Sequence, residues 1–218
     1  MNLAEQLKKQ NEAGRARLNE ATLSVMDEAT ARLRASGIVE SSLQVGEVAT
    51  GFVLPLASGA MVSLAGLLAH GPVVLAFYRG GWCPYCSTEL RALQAHLGEI
   101  TSAGATLVAI SPQVPDNSLS TAERLAIGFP VVSDVGNVVS ESFGLVFSLP
   151  ESLRAVYESF GIDVPGANGD ETFRLPIPAT YVIAPDGTVA WRFVDADYTK
   201  RAEPDAVIGA VVACSASS

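Results

Sequence analysis

The sequence predicts an α/β fold, a central mixed β-sheet flanked by helices, with a helical extension at the N-terminus. Three observations carry that reading. Residues 73–78 (VVLAFY) and 106–110 (TLVAI) are unbroken apolar runs rich in β-branched members, as in strands buried on both faces. Between them Leu90, Leu93, Leu97 and Ile100 recur at spacings of three, four and three, which is one face of a helix. The 218 residues are 49% hydrophobic and only 17% charged, ample for a core and unlike a disordered chain.

The elements follow in order. Residues 2–35 read as one helix, with Leu3, Leu7, Leu18, Val25, Met26, Ala29 and Leu33 along an apolar stripe, Gly14 as a possible interruption and Gly37 as the stop signal. Such a helix packs on the core or on a second subunit, with a specific regulatory arm as the alternative, and it sets the division expected here: residues 1–40 as an extension, 41–218 as the main domain. Residues 52–56 and 60–62 read as strands joined at Ser58-Gly59. The run at 73–78, its helix and the run at 106–110 then form a βαβ unit with a right-handed crossover. A helix over 116–127, entered at Asp116 or Asn117, leads to a short strand at 130–132 and helical stretches at 137–143 and 151–160. Residues 161–176, rich in Gly, Pro, Asn and Asp, read as an irregular loop. Strands at 181–183 and 188–193 are joined by Pro185-Asp186-Gly187, and Pro204 opens a last helix over 204–213.

Composition excludes several functions. Lys and Arg total 14 against 23 Asp and Glu, a net charge of −9, which argues against nucleic acid and anionic membrane surfaces as partners. Residues 48–78 carry no charged side chain, yet Pro55, Pro72 and four glycines divide them into pieces too short to span a bilayer as a helix. Residues 1–20 are polar, without the apolar core of a signal segment. Three cysteines are too few, and odd in number, for a disulfide-stapled scaffold. The expected compartment is the cytoplasm, where a close cysteine pair is more often reactive than structural.

The chemistry lies in Arg79-Gly80-Gly81-Trp82-Cys83-Pro84-Tyr85-Cys86, between a buried strand and an amphipathic helix. Pro84 suits the first helical position, which places Cys83 at the cap. Free backbone N–H groups and the helix dipole then favour a thiolate there, lowering a thiol pKa from about 8.5 into a range of roughly 3.5–7.5. Gly80 and Gly81 allow a tight turn that leaves the sulfur accessible, and Arg79 adds positive charge nearby. A zinc site needs a second ligand pair, which Cys214 and two scattered histidines, His70 and His96, do not supply. No phosphate loop, flavin or nucleotide motif is present, so no cofactor is expected. Two inert buried cysteines are the bland alternative. Trp82 and Tyr85 flank the sulfurs as a contact surface or as packing; Trp191 reads as core and His96 as solvent-facing. Tyr157, Phe160 and the 161–176 loop are candidates to cap the site, and Cys214 is a candidate resolving thiol in the C-terminal tail.

WCPYC after a buried strand resembles the active-site turn of thioredoxins and glutaredoxins. Wider features resemble the peroxiredoxins, the alkyl hydroperoxide reductase and thiol-specific antioxidant family: Val45-Gly46-Glu47 leading to Phe52-Val53-Leu54, Phe77-Tyr78 followed by Cys86-Ser87-Thr88-Glu89-Leu90, and residues 179–187 (ATYVIAPDG). The resemblance implies a thioredoxin-like fold and a thiol peroxidase acting on hydrogen peroxide or organic hydroperoxides. In the family register Cys86 is the peroxide-reactive sulfur and Cys83 condenses with it to a disulfide that a thioredoxin- or glutaredoxin-type protein reduces. Helix-start physics favours Cys83 as the attacking sulfur instead. Cys83 stands where the family has Thr, Ser87 where it has Pro, and the family's Arg is absent near Pro178. Pro178 resembles the cis-proline that faces the disulfide in thioredoxins. The rival readings are a thioredoxin-like disulfide oxidoreductase with Cys83 as nucleophile, and a non-catalytic redox sensor. A homodimer is compatible with either enzyme.

Overall fold

The computed structural model describes residues 1–215. The N-terminal segment is two helices, α1 (Leu3–Arg15) and α2 (Glu20–Ala35), followed by a single turn, α3 (Ile38–Ser41). A hairpin of β1 (Val53–Pro55) and β2 (Met61–Ser63) and a short helix, α4 (Leu64–Leu68), lead to β3 (Val73–Phe77). Then come α5 (Pro84–Ala95), α6 (Leu97–Ser102), β4 (Thr106–Ser111), α7 (Pro115–Leu125), β5 (Val131–Ser133), α8 (Val138–Ser142), β6 (Val146–Ser148), α9 (Glu151–Ser159), α10 (Val164–Asn168) and β7 (Arg174–Pro176). The chain closes with β8 (Ala179–Ile183), β9 (Val189–Val194) and α11 (Pro204–Ser215).

The central sheet is five-stranded in the order β5-β4-β3-β8-β9. β3 runs parallel to β4, and β4 to β5; β8 is antiparallel to both β3 and β9, so the sheet is mixed, as predicted. Because successive strand side chains alternate between faces, β3 divides its residues between two cores. Val73, Leu75 and Phe77 enter one layer, where the Phe77, Phe143 and Tyr181 rings pack at centroid distances of 4.9–6.0 Å. Val74, Ala76 and Tyr78 enter the other, with Leu90 and Leu93 of α5, Val207 and Val211 of α11, and both cysteines of the turn. The site is therefore built into a core layer at the C-terminal end of β3.

Four expectations change. The helix expected over 2–35 breaks after Arg15, because Asn19 caps a new one by accepting from the Thr22 amide, and Arg15 pairs with Asp27 across the break. The helix after the cysteine turn breaks likewise at His96, which separates α5 from α6. The 161–176 segment is not irregular: Asp163 caps α10 with Pro165 in its first turn, and β7 pairs antiparallel with β6, a long-range contact invisible to local pattern. The bond before Pro178 is trans, since no cis peptide occurs among the described residues. The chain runs extended from β7 into β8 there, with the Ile177 amide donating to Leu145 O at 2.8 Å. Gly37 does take the left-handed conformation, φ +74°, that ends α2.

Candidate active site

The turn after β3 is pinned from outside itself. The Gly81 amide donates to Gln113 Oε1 at 2.7 Å, and Gly81 O accepts from Arg124 Nη2 at 2.6 Å. A side chain at Gly80 would meet the Trp82 ring, and one at Gly81 would meet Thr121, so both glycines are required for close approach. Cys83 is the N-cap of α5, with extended backbone angles and no side-chain capping bond, and Pro84 opens the first turn. Its sulfur is thus left free for other partners.

Those partners are two buried guanidinium groups. Arg79 Nη2 donates to Cys83 Sγ at 3.2 Å, while its Nη1 donates to Tyr157 Oη at 2.7 Å. The Arg79 charge lies over the rings of Tyr198 and Trp82, at 4.6 and 5.4 Å. Arg201 Nη2 donates to Cys86 Sγ at 3.2 Å, its Nε to the Glu89 carboxylate, and its Nη1 to the carbonyls of Tyr198 and Lys200. Glu89, within the Cys86-Ser87-Thr88-Glu89-Leu90 run, therefore holds the arginine that faces Cys86.

The two sulfurs are thiols with 0% exposure, and they ionise in opposite directions. Burial alone would raise Cys83, but a hydrogen bond from Cys86 and the charges of Arg79 and Arg201 hold it well below the ordinary thiol range. Burial pushes Cys86 well above that range, and its bond to Cys83 and the negative charge there push it further. Both shifts favour the first negative charge of the pair, a thiolate with one proton left on its partner, at Cys83. Burial also raises Glu89, against the pull of Arg201.

Cys83 does not open directly to solvent, contrary to the accessibility expected of the Gly-Gly turn, because α1 packs over α5. It faces a cavity of about 200 Å³ closed by Asn11, Leu18 and Met26 of the N-terminal hairpin and by Phe160 and Ile162. A second cavity of about 210 Å³ adjoins it at Arg79, Tyr157 and Tyr198, and Pro178 lines that one. Tyr157 and Phe160 thus do surround the site. Trp82 packs edge-on against Tyr157 at 5.8 Å. Cys214 lies elsewhere, beside Asp186 and Trp191 in a separate cavity, and His96 pairs with Glu99. Trp191 packs against the core layer. Sequence reasoning missed Arg201 and Tyr198; neither carries a motif, and the loop after β9 alone brings them in. Among the described residues no three His, Cys, Asp or Glu side chains group to hold a metal ion, and no helix is long and apolar enough to cross a membrane.

The family model described as AhpC/TSA matches residues 45–192. The chain belongs to the AhpC/TSA family. Among curated proteins it is 29% identical over 103 residues to peroxiredoxin Bcp of Escherichia coli K12, covering 47% of this chain and 65% of that protein. It is 30% identical over 106 residues to the thiol-disulfide oxidoreductase ResA of Halalkalibacterium halodurans, covering 48% of this chain and 59% of that one. The matched stretches thus span less than two thirds of these relatives. Among solved structures, peroxidoxin BcpB from Mycobacterium tuberculosis superposes with a TM-score of 0.62 at 23% identity, covering 78% of this chain and 97% of that one. That likeness shows the thioredoxin-like peroxiredoxin fold. Arg201 and the α1–α2 hairpin lie outside the residues that the family model matches.

Proposed function

We propose that this chain is a thiol peroxidase of the AhpC/TSA family that reduces hydrogen peroxide or organic hydroperoxides through the Cys83/Cys86 pair. One observation carries the reading: the Cys83 sulfur at the mouth of α5 receives an Arg79 N–H and faces a cavity of about 200 Å³. Cys83 Sγ attacks the outer peroxide oxygen. The O–O bond breaks, the leaving alkoxide or hydroxide takes a proton from solvent and departs as alcohol or water, and Cys83 becomes a sulfenic acid. Arg79 Nη2 stands where it stabilises charge developing on the transferred oxygen. Cys86 then gives its proton to the departing hydroxyl and forms the Cys83–Cys86 disulfide, with loss of water. A thioredoxin- or glutaredoxin-type dithiol protein returns two electrons. This order reverses the one expected from the family register; the arginine pairing favours it. The compartment assigned is the cytoplasm, and residues 1–40 are assigned as an extension of the catalytic domain.

Single turnover tests the assignment. Wild type and C86S are expected to consume one equivalent of peroxide, C86S stopping at a Cys83 sulfenic acid trapped by dimedone, while C83S consumes none. Consumption by C83S and not by C86S would return the first attack to Cys86. A second reading, a disulfide oxidoreductase, is favoured by the capping position of Cys83. It prevails if no form reacts with peroxide while C86S traps a mixed disulfide with a disulfide-bearing substrate protein. Steady-state peroxide consumption with a reductase system excludes a non-catalytic sensor.

A further inference from the structure

The chain keeps its reacting cysteines covered. Both sulfurs have no exposed surface, and the α1–α2 hairpin forms the outer wall over Cys83. A small peroxide fits a cavity of about 200 Å³. A folded dithiol protein does not, yet exchange requires sulfur to attack sulfur through a mixed disulfide.

The cover lies on α5 through α1 and on α9 through α2, with Val25, Met26 and Leu33 half-buried against the cores, but little of it is deeply buried. In α1 only Leu3 and Leu7 are buried, and in α2 only Ala29. The other attachments of α1 are polar. Tyr85 Oη donates to Asn11 Oδ1 at 3.2 Å and Thr88 Oγ1 to Gln10 Oε1 at 2.7 Å. The amides of Leu3 and Ala4 donate to the Glu203 carboxylate at 3.0 and 2.6 Å. Little apolar burial and solvent-reachable hydrogen bonds mark a unit of low local stability.

Charge supplies a trigger. Around the dithiol the buried cations are Arg79 and Arg201, and the anions facing them are the Cys83 thiolate and Glu89. Forming the disulfide removes two electrons, the single thiolate charge on Cys83 and the single proton on Cys86. Glu89 still matches Arg201, but Arg79 is left 4% exposed without an anion, and its Nε has no hydrogen-bond partner. A buried charge that has lost its partner is strongly unfavourable, and water relieves it.

We propose that oxidation of the pair releases the α1–α2 hairpin and uncovers Trp82, Tyr85 and Thr88, beside the already exposed Pro84, as the docking surface for the reducing dithiol protein. In the dithiol state α1 occupies that surface. The inference rests on the Cys83–Cys86 couple of the proposed function. Its test uses hydrogen exchange with mass spectrometry on the full chain, as dithiol and as the disulfide made with diamide. Diamide takes two electrons and one proton from the pair and a second proton from solvent and becomes the hydrazine, so the result is independent of peroxide reactivity. Amides within residues 3–15 are expected to exchange at least tenfold faster in the disulfide form, with β3 and β8 unchanged. Without oxidant, C83S is expected to exchange equally fast there, because its neutral oxygen also leaves Arg79 unmatched, while C86S stays slow. Equal exchange of residues 3–15 in the dithiol and disulfide forms overturns the proposal. Slow exchange in C83S overturns its electrostatic cause. If diamide forms no disulfide, the couple itself fails, and the C83S arm still decides whether losing the Cys83 charge frees the hairpin.

Discussion

Two arginines meet the cysteine pair, Arg79 from the turn itself and Arg201 from the loop after β9, and only one of them has a carboxylate partner. Arg201 meets a carboxylate, Glu89, and two backbone carbonyls before it meets Cys86. Arg79 meets a phenol, Tyr157, and the faces of two aromatic rings before it meets Cys83. One cation is already matched; the other is matched only if its sulfur ionises. The single negative charge of the cysteine pair therefore settles beside Arg79, and the cap position of Cys83 at α5 acts in the same direction. The nucleophile is chosen by where the nearest other anion sits, as much as by where the helix begins.

The sharpest way to break this contrast is to remove the carboxylate. Glu89→Gln leaves Arg201 buried and unmatched, and losing one partner of a buried pair costs about 3–5 kcal/mol of stability, read by urea unfolding. The same variant should draw ionisation toward Cys86, so that alkylation mapped by mass at pH 7 labels both sulfurs. Labelling confined to Cys83 would show that Glu89 does not set the asymmetry. On the other side, Arg79→Gln takes away the cation that holds the Cys83 thiolate. Single-turnover oxidation at pH 7 should fall roughly 10²-fold, the scale of losing one preorganised donor. The alkylation midpoint of Cys83 should rise toward an unperturbed thiol, about 8.5. An unmoved midpoint would leave the helix mouth alone as the source of acidity.

The same contrast separates what could be read in the sequence from what could not. β3, β4 and α5 were legible because apolar runs and three-four spacing report burial directly, and the turn was legible because Gly, Pro and paired Cys each force local geometry. Arg79 was legible by adjacency, lying four residues before Cys83. Arg201 was not, because 112 residues separate it from Glu89 and only the packing of the loop after β9 joins them. Pro178 misled for a related reason. Its neighbours matched a motif, but the β6–β7 pairing that carries the chain extended into β8 leaves no local trace. The break between α1 and α2 fell where an Asn cap outweighed a continuous apolar stripe.

The smallest expected effect tests both sulfurs at once, through the pH dependence of unfolding. In the unfolded chain each thiol titrates near about 8.5. Cys83 is depressed in the folded dithiol form. Between its folded pKa and 8.5 the unfolded chain binds one more proton than the folded one, so its contribution to stability rises with pH. That contribution is complete above the unfolded value and is lost as pH falls through the folded one. Cys86 is raised. Its contribution is complete below the unfolded value and is lost as pH climbs toward the folded one, because the unfolded chain gives up its proton first. The dithiol form minus the disulfide form should therefore rise and then fall, with a maximum near pH 8.5 and slopes approaching about 1.4 kcal/mol per pH unit. Cys214, raised by burial, titrates in both forms and cancels in the difference. C83S should lack the rising limb and C86S the falling one, each measured against its own urea midpoints. A difference curve that only falls would mean that both sulfurs stay protonated in the fold, and the distinction between the two arginines would then have no chemical consequence.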